Sequence, residues 1–270
     1  MVESAAGARF QVPHLAEPVA FDLLVDGCYE PDTEMLIWKH LEPGGTFIDV
    51  GANIGVLTIS AARRVGGLGR VLAIEPSPSV FPYLERNIAL NGLANVVTAR
   101  VAVSDSNRDN VPFYQAPVDH FGMGALAPQF YSESCPVMTR TLDHLVESQQ
   151  LDHVSVLKID VEGHEAAVFR GARKLLARSP GPLVIFEFCD WAEARFPNAS
   201  AGDAQRFLSR LGYRLWRLDD YSRGRPPLKD PLTKGAAMIV GMRSADRDSA
   251  TMMNAKDAKL AKAAAGGRPA

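Results

Sequence analysis

Short apolar runs alternate with longer segments of helical periodicity from about Phe47 onward. This alternation is typical of βαβ units, in which parallel strands form a sheet and helices cover both of its faces. The predicted strands are 46–50, 70–74, 96–101, 154–159, 183–188, 213–218 and 236–242. Because the last two form a predicted antiparallel pair, the pattern predicts an α/β fold with a seven-stranded, mostly parallel sheet.

The segments between these strands predict helices over 54–65, 80–91, 141–149, about 164–177 and 203–211. Glycines close several of them, as expected at helix ends. Between 103 and 153 the pattern loosens, because prolines and glycines are scattered among aromatic residues. Such a stretch suits loops and short hairpin strands, and we interpret it as a substrate-facing insertion in the main domain, 44–243.

Two further segments flank the main domain. Residues 1–43 form a predicted extension of loop and helix over the active site, with a helix at 32–41. Residues 244–270 lack a large apolar stripe and are predicted to be a flexible tail. The start of the chain lacks the features of a signal peptide, and no run approaches the roughly 20 apolar residues of a membrane-spanning helix. We therefore expect a cytoplasmic protein with no membrane partner.

Composition narrows the class of partner. The formal net charge of −2 and the isoelectric point of about 6.3 do not indicate a positively charged surface for nucleic acid. A small-molecule or sugar substrate is therefore expected. The three cysteines are far apart, which indicates neither a zinc site nor a disulfide framework. The sequence leaves the oligomeric state open, with a homodimer among the alternatives.

The most informative motif is the turn from Asp49 to Gly55, where a strand ends in a carboxylate and two glycines four residues apart lead into a helix. Glycine allows backbone to approach a ligand closely, and open α/β sheets bind ligands at the carboxyl ends of their strands. The dinucleotide motif has a third, middle glycine, and Asp49 would repel a pyrophosphate. The turn therefore indicates a cofactor with an amine and a sulfonium, S-adenosylmethionine, contacted by Asp49, Gly51, Asn53 and Gly55.

Two more strand ends carry candidate cofactor contacts. Glu75 ends the second strand, where a carboxylate can accept from both ribose hydroxyls, and Pro76 follows it. Ser104 and Asp105 come just after the third strand, where Asp105 could accept from the adenine amino group. A helix cap or a surface carboxylate would explain any one of these acids, but their placement at successive strand ends favours one shared site.

Ionisable groups are also dense around the end of the fourth strand. Lys158 and Asp160 point to the same side of that strand by alternation, and in a covered parallel sheet each needs a partner. Glu187 lies near the end of the adjacent fifth strand. We therefore expect these groups, together with Glu162 and His164, to face one cleft.

Three motifs together, Asp49-Val-Gly-Ala-Asn-Ile-Gly55, Lys158-Ile-Asp-Val-Glu-Gly-His-Glu165 and Phe186-Glu187, resemble the FkbM family of methyltransferases. The resemblance spans roughly 29–218. It implies a Rossmann-like class I methyltransferase fold, S-adenosylmethionine as methyl donor, and O-methylation of a polyketide, sugar or related metabolite. The acidic positions of the family fall on Asp49, Glu75, Asp160, Glu162 and Glu187.

Catalysis requires a group that takes the proton of the acceptor. His164, in the first turn of a helix, has its pKa lowered by the macrodipole and is one candidate base. Asp160 and Glu187 compete for this role, or with Glu162 they could hold Mg²⁺ or Ca²⁺, although no spaced carboxylate loop supports a metal site. Lys158 is expected to neutralise Asp160 rather than to react.

The chemistry of the acceptor stays open in the sequence. The alternatives are N- or C-methylation of a peptide or other metabolite, and a catalytically silent fold that binds the cofactor as a scaffold. A nicotinamide oxidoreductase is disfavoured because the middle glycine is missing.

Overall fold

The computed structural model describes residues 1–197 and 199–243. The predicted tail, 244–270, lies outside these residues. The strands are β1 (Val2–Glu3), β2 (Arg9–Phe10), β3 (Thr46–Val50), β4 (Arg70–Ile74), β5 (Val96–Ala99), β6 (Ala102–Val103), β7 (Arg108–Phe113), β8 (Cys135–Arg140), β9 (Val156–Ile159), β10 (Leu183–Cys189), β11 (Tyr213–Arg217) and β12 (Ala236–Arg243).

The helices are α1 (Pro18–Val25), α2 (Pro31–His40), α3 (Val56–Val65), α4 (Phe81–Leu90), α5 (Leu142–Ser148), α6 (Glu165–Arg170), α7 (Arg173–Leu176), α8 (Asp190–Glu193), α9 (Asp203–Arg210) and α10 (Leu218–Ser222), with a short 3₁₀ turn at Val118–His120.

A seven-stranded sheet forms the centre of the fold, in the order β11-β12-β10-β9-β3-β4-β5. Only β12 among these seven strands runs against the others, since it pairs antiparallel with both β10 and β11. The prediction of a mostly parallel sheet is therefore confirmed. Chain order reverses around β3, which lies between β4 and β9. In open α/β sheets a crevice for ligands lies outside the carboxyl ends of the strands at such a reversal.

Helices cover both faces of this sheet, as predicted. On β3, Phe47 packs in one apolar cluster with α3, whereas Ile48 belongs to a second cluster on the opposite face with α6. Because side chains alternate along a strand and both faces are covered, the strand must be apolar almost throughout. Asp49 breaks that run near its carboxyl end and is nevertheless buried.

Two predicted helices differ from the structure. The helix predicted over 54–65 begins at Val56, since Asn53 and Gly55 have left-handed backbone conformations that end the turn. The helix predicted over 164–177 is divided into α6 and α7. At the break, a Cβ on Gly171 would lie 2.1 Å from the carbonyl oxygen of Ser104, so the chain requires glycine there.

The loose segment after β5 contains a small sheet of its own. Its order is β6-β8-β7, with β8 parallel to β6 and antiparallel to β7. The predicted hairpin strands in this segment are thus present, and α5 follows them. Ahead of the main sheet, β1 and β2 form a hairpin, which α1 and α2 follow. In the part of the chain that the structure describes, no helix is long and apolar enough to cross a membrane.

Replacing Phe47 by alanine tests the covered sheet. The side chain of Phe47 is fully buried, so Phe47→Ala should lower the free energy of unfolding by about 3–5 kcal/mol through lost burial and a cavity. Leu68→Ala is the control, because Leu68 is 93% exposed, and it should change stability by no more than about 0.5 kcal/mol. Urea unfolding followed by circular dichroism measures both. Equal effects of the two substitutions would contradict the packing described above.

Candidate active site

A cavity of about 1050 Å³ lies at the carboxyl edge of the sheet, over the reversal at β3. Its walls come from the ends of β3, β4 and β9 and from the segment after β5. The N-terminal extension and the insertion also contribute, through Glu17, Pro18, Val19, Tyr29, Phe113 and residues 122–126. The groups predicted at separate strand ends are therefore largely gathered around one space.

Two glycines of the turn after β3 serve different purposes. Gly51 lines the cavity, and a Cβ there would lie 1.8 Å from the carbonyl oxygen of Asp160. Only glycine lets the loops after β3 and β9 cross so closely. Gly55 was predicted to contact the cofactor, but a Cβ at Gly55 would lie 2.7 Å from Leu84 of α4. Gly55 does not line the cavity, and its lack of a side chain lets α4 pack closely here.

Glu75 is nearly buried at the cavity wall, with 6% of its surface exposed. Its two carboxylate oxygens accept backbone N–H bonds, one from Asn53 at 3.1 Å and one from Ser77 at 2.9 Å. Burial raises the pKa of Glu75 to about 7, although these bonds oppose the shift. The backbone thus fixes this carboxylate in one orientation beside Pro76, which lines the same wall.

A buried ammonium links the ends of β3 and β9. The Nζ of Lys158 donates to the carbonyl of Gly51 at 3.0 Å and lies 3.5 Å from carboxylate oxygens of both Asp49 and Asp160. Burial lowers the pKa of Lys158, but the two carboxylates outweigh it and hold the pKa above its ordinary value. Lys158 therefore carries a charge that its neighbours balance, in keeping with a supporting role.

The two carboxylate oxygens of Asp49 differ in their partners, and Oδ1 is the one that lies 3.5 Å from the ammonium of Lys158. Its Oδ2 accepts from the hydroxyl of Thr58 at 2.6 Å, while its buried Oδ1 has no hydrogen-bond partner among the described residues. Burial raises the pKa of Asp49, and Lys158 and Thr58 act against that shift. An oriented carboxylate with an oxygen that accepts no hydrogen bond, next to a cavity, is suited to a cationic ligand.

The structure does not bring Asp105 to the cavity. Its side chain is about two-fifths exposed and lies 3.3 Å from the guanidinium Nε of Arg170. The expected contact with adenine is corrected for a physical reason: β5 ends at Ala99 and the chain then enters the small sheet, which turns Asp105 outward. Ser104 is buried but does not line the cavity, where Val101, Ala102 and Val103 do.

His164 lines the cavity and is held on two sides. Its Nε2 lies 3.0 Å from the hydroxyl of Ser104, and its ring packs on Phe196 with 4.8 Å between ring centroids. The pKa of His164 falls to about 4, and the main cause is burial rather than the helix dipole that the sequence suggested. The imidazole is therefore neutral near pH 7.

Three further carboxylates lie near Asp160: Glu162 and Glu187, which the sequence predicted, and Glu30, which it did not. Glu187, at the end of β10, does not line the cavity itself. Burial and the nearby charges of Asp160, Glu162 and Glu30 raise its pKa. Glu162 lines the cavity in a left-handed conformation, with φ 57°. Glu30, directly before α2, has a buried oxygen without a hydrogen-bond partner among the described residues.

Comparison with known proteins defines the family. Residues 49–215 match the methyltransferase FkbM domain, so the chain belongs to that family. The predicted family and its Rossmann-like class I fold are confirmed. A hexuronic acid methyltransferase of Haloferax volcanii is 30% identical over 54% of this chain and 58% of its own length. "Methyltransferase 1" of Beauveria bassiana is 27% identical over 56% of this chain and 64% of its own length.

Among solved structures, an FkbM methyltransferase from Methylobacillus flagellatus aligns with a TM-score of 0.46 and 15% identity, covering 83% of this chain and 52% of that one. A putative methyltransferase from Streptococcus mutans in complex with SAH aligns with a TM-score of 0.46 and 9% identity, covering 78% and 95%. The chain spans about 60% of the length of the two relatives named above.

The residues around the cavity fit S-adenosylmethionine, the donor of this family. Each oxygen of Glu75 keeps a lone pair with which it would accept a ribose hydroxyl. Oδ1 of Asp49, which accepts no hydrogen bond, and the carboxylate of Asp160 would face the cationic amino-acid end. Pro76 and Val103 offer an apolar surface to a flat base. In the described residues, no three His, Cys, Asp or Glu side chains are grouped so that they could hold a metal ion.

Removing the buried ammonium should destabilise the protein in a pH-dependent way. Lys158→Met leaves Asp49 and Asp160 facing each other without a cation, which should cost about 3–5 kcal/mol at pH 8. The pKa of Asp49 is raised by burial and should rise further, so ionised Asp49 opposes folding above that pKa. The deficit should shrink as the pH falls toward 5, because protonation removes the buried charge.

Urea unfolding at pH 5 and pH 8 measures this difference. Lys174→Met is the matched control, since Lys174 is exposed on α7 and its loss should change stability by no more than about 0.5 kcal/mol. A pH-independent effect of Lys158→Met would show that the ammonium does not balance the two carboxylates.

Proposed function

We propose that the protein is an S-adenosylmethionine-dependent methyltransferase that methylates a hydroxyl oxygen of a small molecule or sugar. The observation that carries this proposal is a single cavity with the fixed carboxylate of Glu75 at the end of β4 and the Asp49–Lys158–Asp160 network across the end of β9. Membership of the FkbM family supports the enzyme class.

The donor end of the cavity is proposed to lie over β3 and β4. Glu75 would bind the ribose hydroxyls, with Gly51, Asn53 and Pro76 against the adenosyl group. Asp49 and Asp160 would attract the positive charge of the donor. Bound S-adenosylmethionine supplies an electrophilic methyl group, so the protein mainly has to orient an acceptor and remove a proton.

The proton-accepting group is proposed to lie at the ends of β9 and β10. His164 is neutral and lines the cavity, but its Nε2 is already engaged with Ser104. Asp160 lines the cavity beside Lys158, and Glu187 lies behind it with a raised pKa. A carboxylate whose pKa is raised toward neutrality is a suitable general base. Asp160 is supported by its place in the cavity wall and Glu187 by its raised pKa, so both receive more support than His164.

A sugar acceptor is supported by the Haloferax volcanii relative, whose name specifies hexuronic acid. Hydroxyl groups of a sugar are hydrogen-bond donors, and carboxylates are acceptors. The carboxylates around Asp160 therefore suit hydroxyl groups better than they suit a second anion.

Binding of S-adenosylhomocysteine tests the donor site. Glu75→Ala removes both acceptors for the ribose and should raise the dissociation constant at least about tenfold, which corresponds to about 1.4 kcal/mol. Asp105→Ala is the matched control, because Asp105 faces Arg170 outside the cavity, and it should leave the dissociation constant unchanged. Isothermal titration calorimetry measures both. The opposite order of effects would refute the assignment.

The pH dependence of the same binding gives a second readout. The pKa of Glu75 is about 7, so the group becomes protonated, and a poorer acceptor, as the pH falls below 7. Affinity of the wild type should therefore decrease between pH 8 and pH 6, and Glu75→Gln should show a smaller change.

The position of a transferred label tests the acceptor atom. With ¹³C-methyl S-adenosylmethionine and acceptors that carry both a hydroxyl and an amine, such as glucosamine, we expect the ¹³C shift of an O-methyl group in the product. An N-methyl signal instead would favour the alternative of N-methylation. Donor binding without transfer to any of a broad set of hydroxyl, amine and carbon acceptors would favour the scaffold alternative.

A further inference from the structure

A second group of polar and aromatic side chains lies beside the cavity, next to Glu162. Trp191, on α8, is 51% exposed although its neighbours in sequence are largely buried. The guanidinium of Arg195 lies over its ring, 4.9 Å from the ring centroid. A large aromatic ring that is held in place yet left open to solvent beside a cavity is the kind of surface that contacts ligands.

Arg195 connects this ring to the cavity. It donates to the carbonyl of Glu162 at 2.8 Å and lies 3.7 Å from the carboxylate of the same residue. It also hydrogen-bonds to the side-chain oxygen of Gln129, which comes from the insertion. The long distance to the Glu162 carboxylate leaves that group able to accept a hydrogen bond from a ligand.

The backbone is shaped to place Glu162 next to α8. A Cβ on Gly163 would lie 2.4 Å from the backbone of Ala192, so glycine lets α8 rest directly on this loop. From the other side, the buried carboxylate of Glu165 accepts from the backbone N–H groups of Val161 and Gly163, at 3.1 and 3.3 Å. Glu162 is held between them in a left-handed conformation that a glutamate rarely adopts, which is a form of strain typical of functional sites.

From this geometry we propose that Trp191, Arg195, Gln129 and Glu162 form the acceptor subsite for an uncharged sugar ring, and that Glu162 accepts the proton of the hydroxyl that is methylated. This inference rests on the proposed function. As the acceptor oxygen bonds to the methyl carbon, the electron pair of the broken C–S bond stays on sulfur and the hydroxyl proton passes to Glu162.

The chemistry of the side chains points to an uncharged sugar. The C–H face of a sugar ring is apolar and can pack on an indole, while its hydroxyl groups reach carboxylate and amide oxygens at the rim. The cations at this place, Lys158 and Arg195, already face carboxylates. An acidic sugar would therefore bring a further negative charge beside Glu162 and Asp160 without gaining a new cation.

Glu162 is also placed to accept the proton. Its side chain lines the donor cavity, whereas Glu187 does not. Burial and Asp160 raise its pKa, Arg195 and Lys158 oppose the shift, and the result is about 7. A group with that pKa is ionised in part near neutral pH and can take a proton when the reaction releases one.

Saturation-transfer NMR on the full chain with S-adenosylhomocysteine bound tests the subsite. The probes are methyl glycosides of glucose, galactose, mannose and rhamnose, together with methyl glucuronoside as the acidic comparison. We expect saturation transfer to at least one neutral glycoside and much less to the glucuronoside. Trp191→Ala should weaken the bound glycoside about tenfold or more. Trp38→Ala, which removes another partly exposed tryptophan, on α2, should have no effect.

The outcomes separate the two proposals. If S-adenosylhomocysteine does not bind in calorimetry, the proposed function is wrong. If it binds but no glycoside receives saturation transfer, the sugar subsite is wrong and the donor site stands. If the glucuronoside binds as well as the neutral glycosides, or if Trp191→Ala and Trp38→Ala behave alike, the inference is overturned.

Glu162→Gln tests the proton acceptor on the glycoside that binds. The substitution keeps the shape and a hydrogen-bonding oxygen, so the glycoside dissociation constant should stay within about twofold. Methyl transfer in a single turnover should fall by about 10²–10⁴, and its dependence on pH near 7 should disappear. Transfer at the wild-type rate, or lost binding with an unchanged rate at saturation, would assign proton transfer to another group.

Discussion

The buried ammonium of Lys158 is the interaction on which the site depends. Lys158 and Asp49 are direct neighbours in the parallel register of β9 and β3, so the sheet itself brings them together. Asp160, two residues further along, completes the set from the same side of the strand. A buried charge is tolerated only with such partners, because desolvation alone would cost several kcal/mol. The carbonyl of Gly51 also accepts from this ammonium, which ties the two loops to each other.

That fixed crossing divides the edge of the sheet into two regions. Glu75 and the segment after β5 lie on one side of Gly51, while the loop with Glu162 and the start of α8 lie on the other. A donor and an acceptor that react must meet between these regions. Since both loops are anchored to the same ammonium, the separation of the two regions is set by strand spacing in the sheet and not by flexible loops.

The regular part of the fold follows closely from the sequence. The bounds 46–50 and 70–74 were predicted as observed. Strands covered on both faces are apolar almost throughout, and Asp49 and Glu75 mark where these two apolar runs end. The division of the helix was missed, since the first N–H groups of α7 bond to the side chain of Asp143, a contact between segments far apart in the chain.

Contacts between distant segments also decide which residues of the site the sequence can predict. Glu75 and Asp160 were recognisable because strand ends meet at one edge, whatever the packing around them. Asp105 was misplaced because the apolar residues after Arg100 belong to β6 of the small sheet, and the sequence does not separate them from β5. Glu17 and Tyr29 were missed because they come from the N-terminal extension, and no periodicity shows where an extension folds back. Tertiary contacts, not local patterns, place such residues.

The charges of the cavity also bear on the direction of the proposed reaction. Carboxylates outnumber cations around Lys158, so the site would attract a positively charged sulfonium. Once the methyl group has moved, the sulfur is uncharged and a carboxylate has gained a proton. Both changes remove attraction between the cavity and the used donor. The attraction between the cavity and the donor would therefore weaken as the product forms, because it depends on a charge that the reaction itself removes.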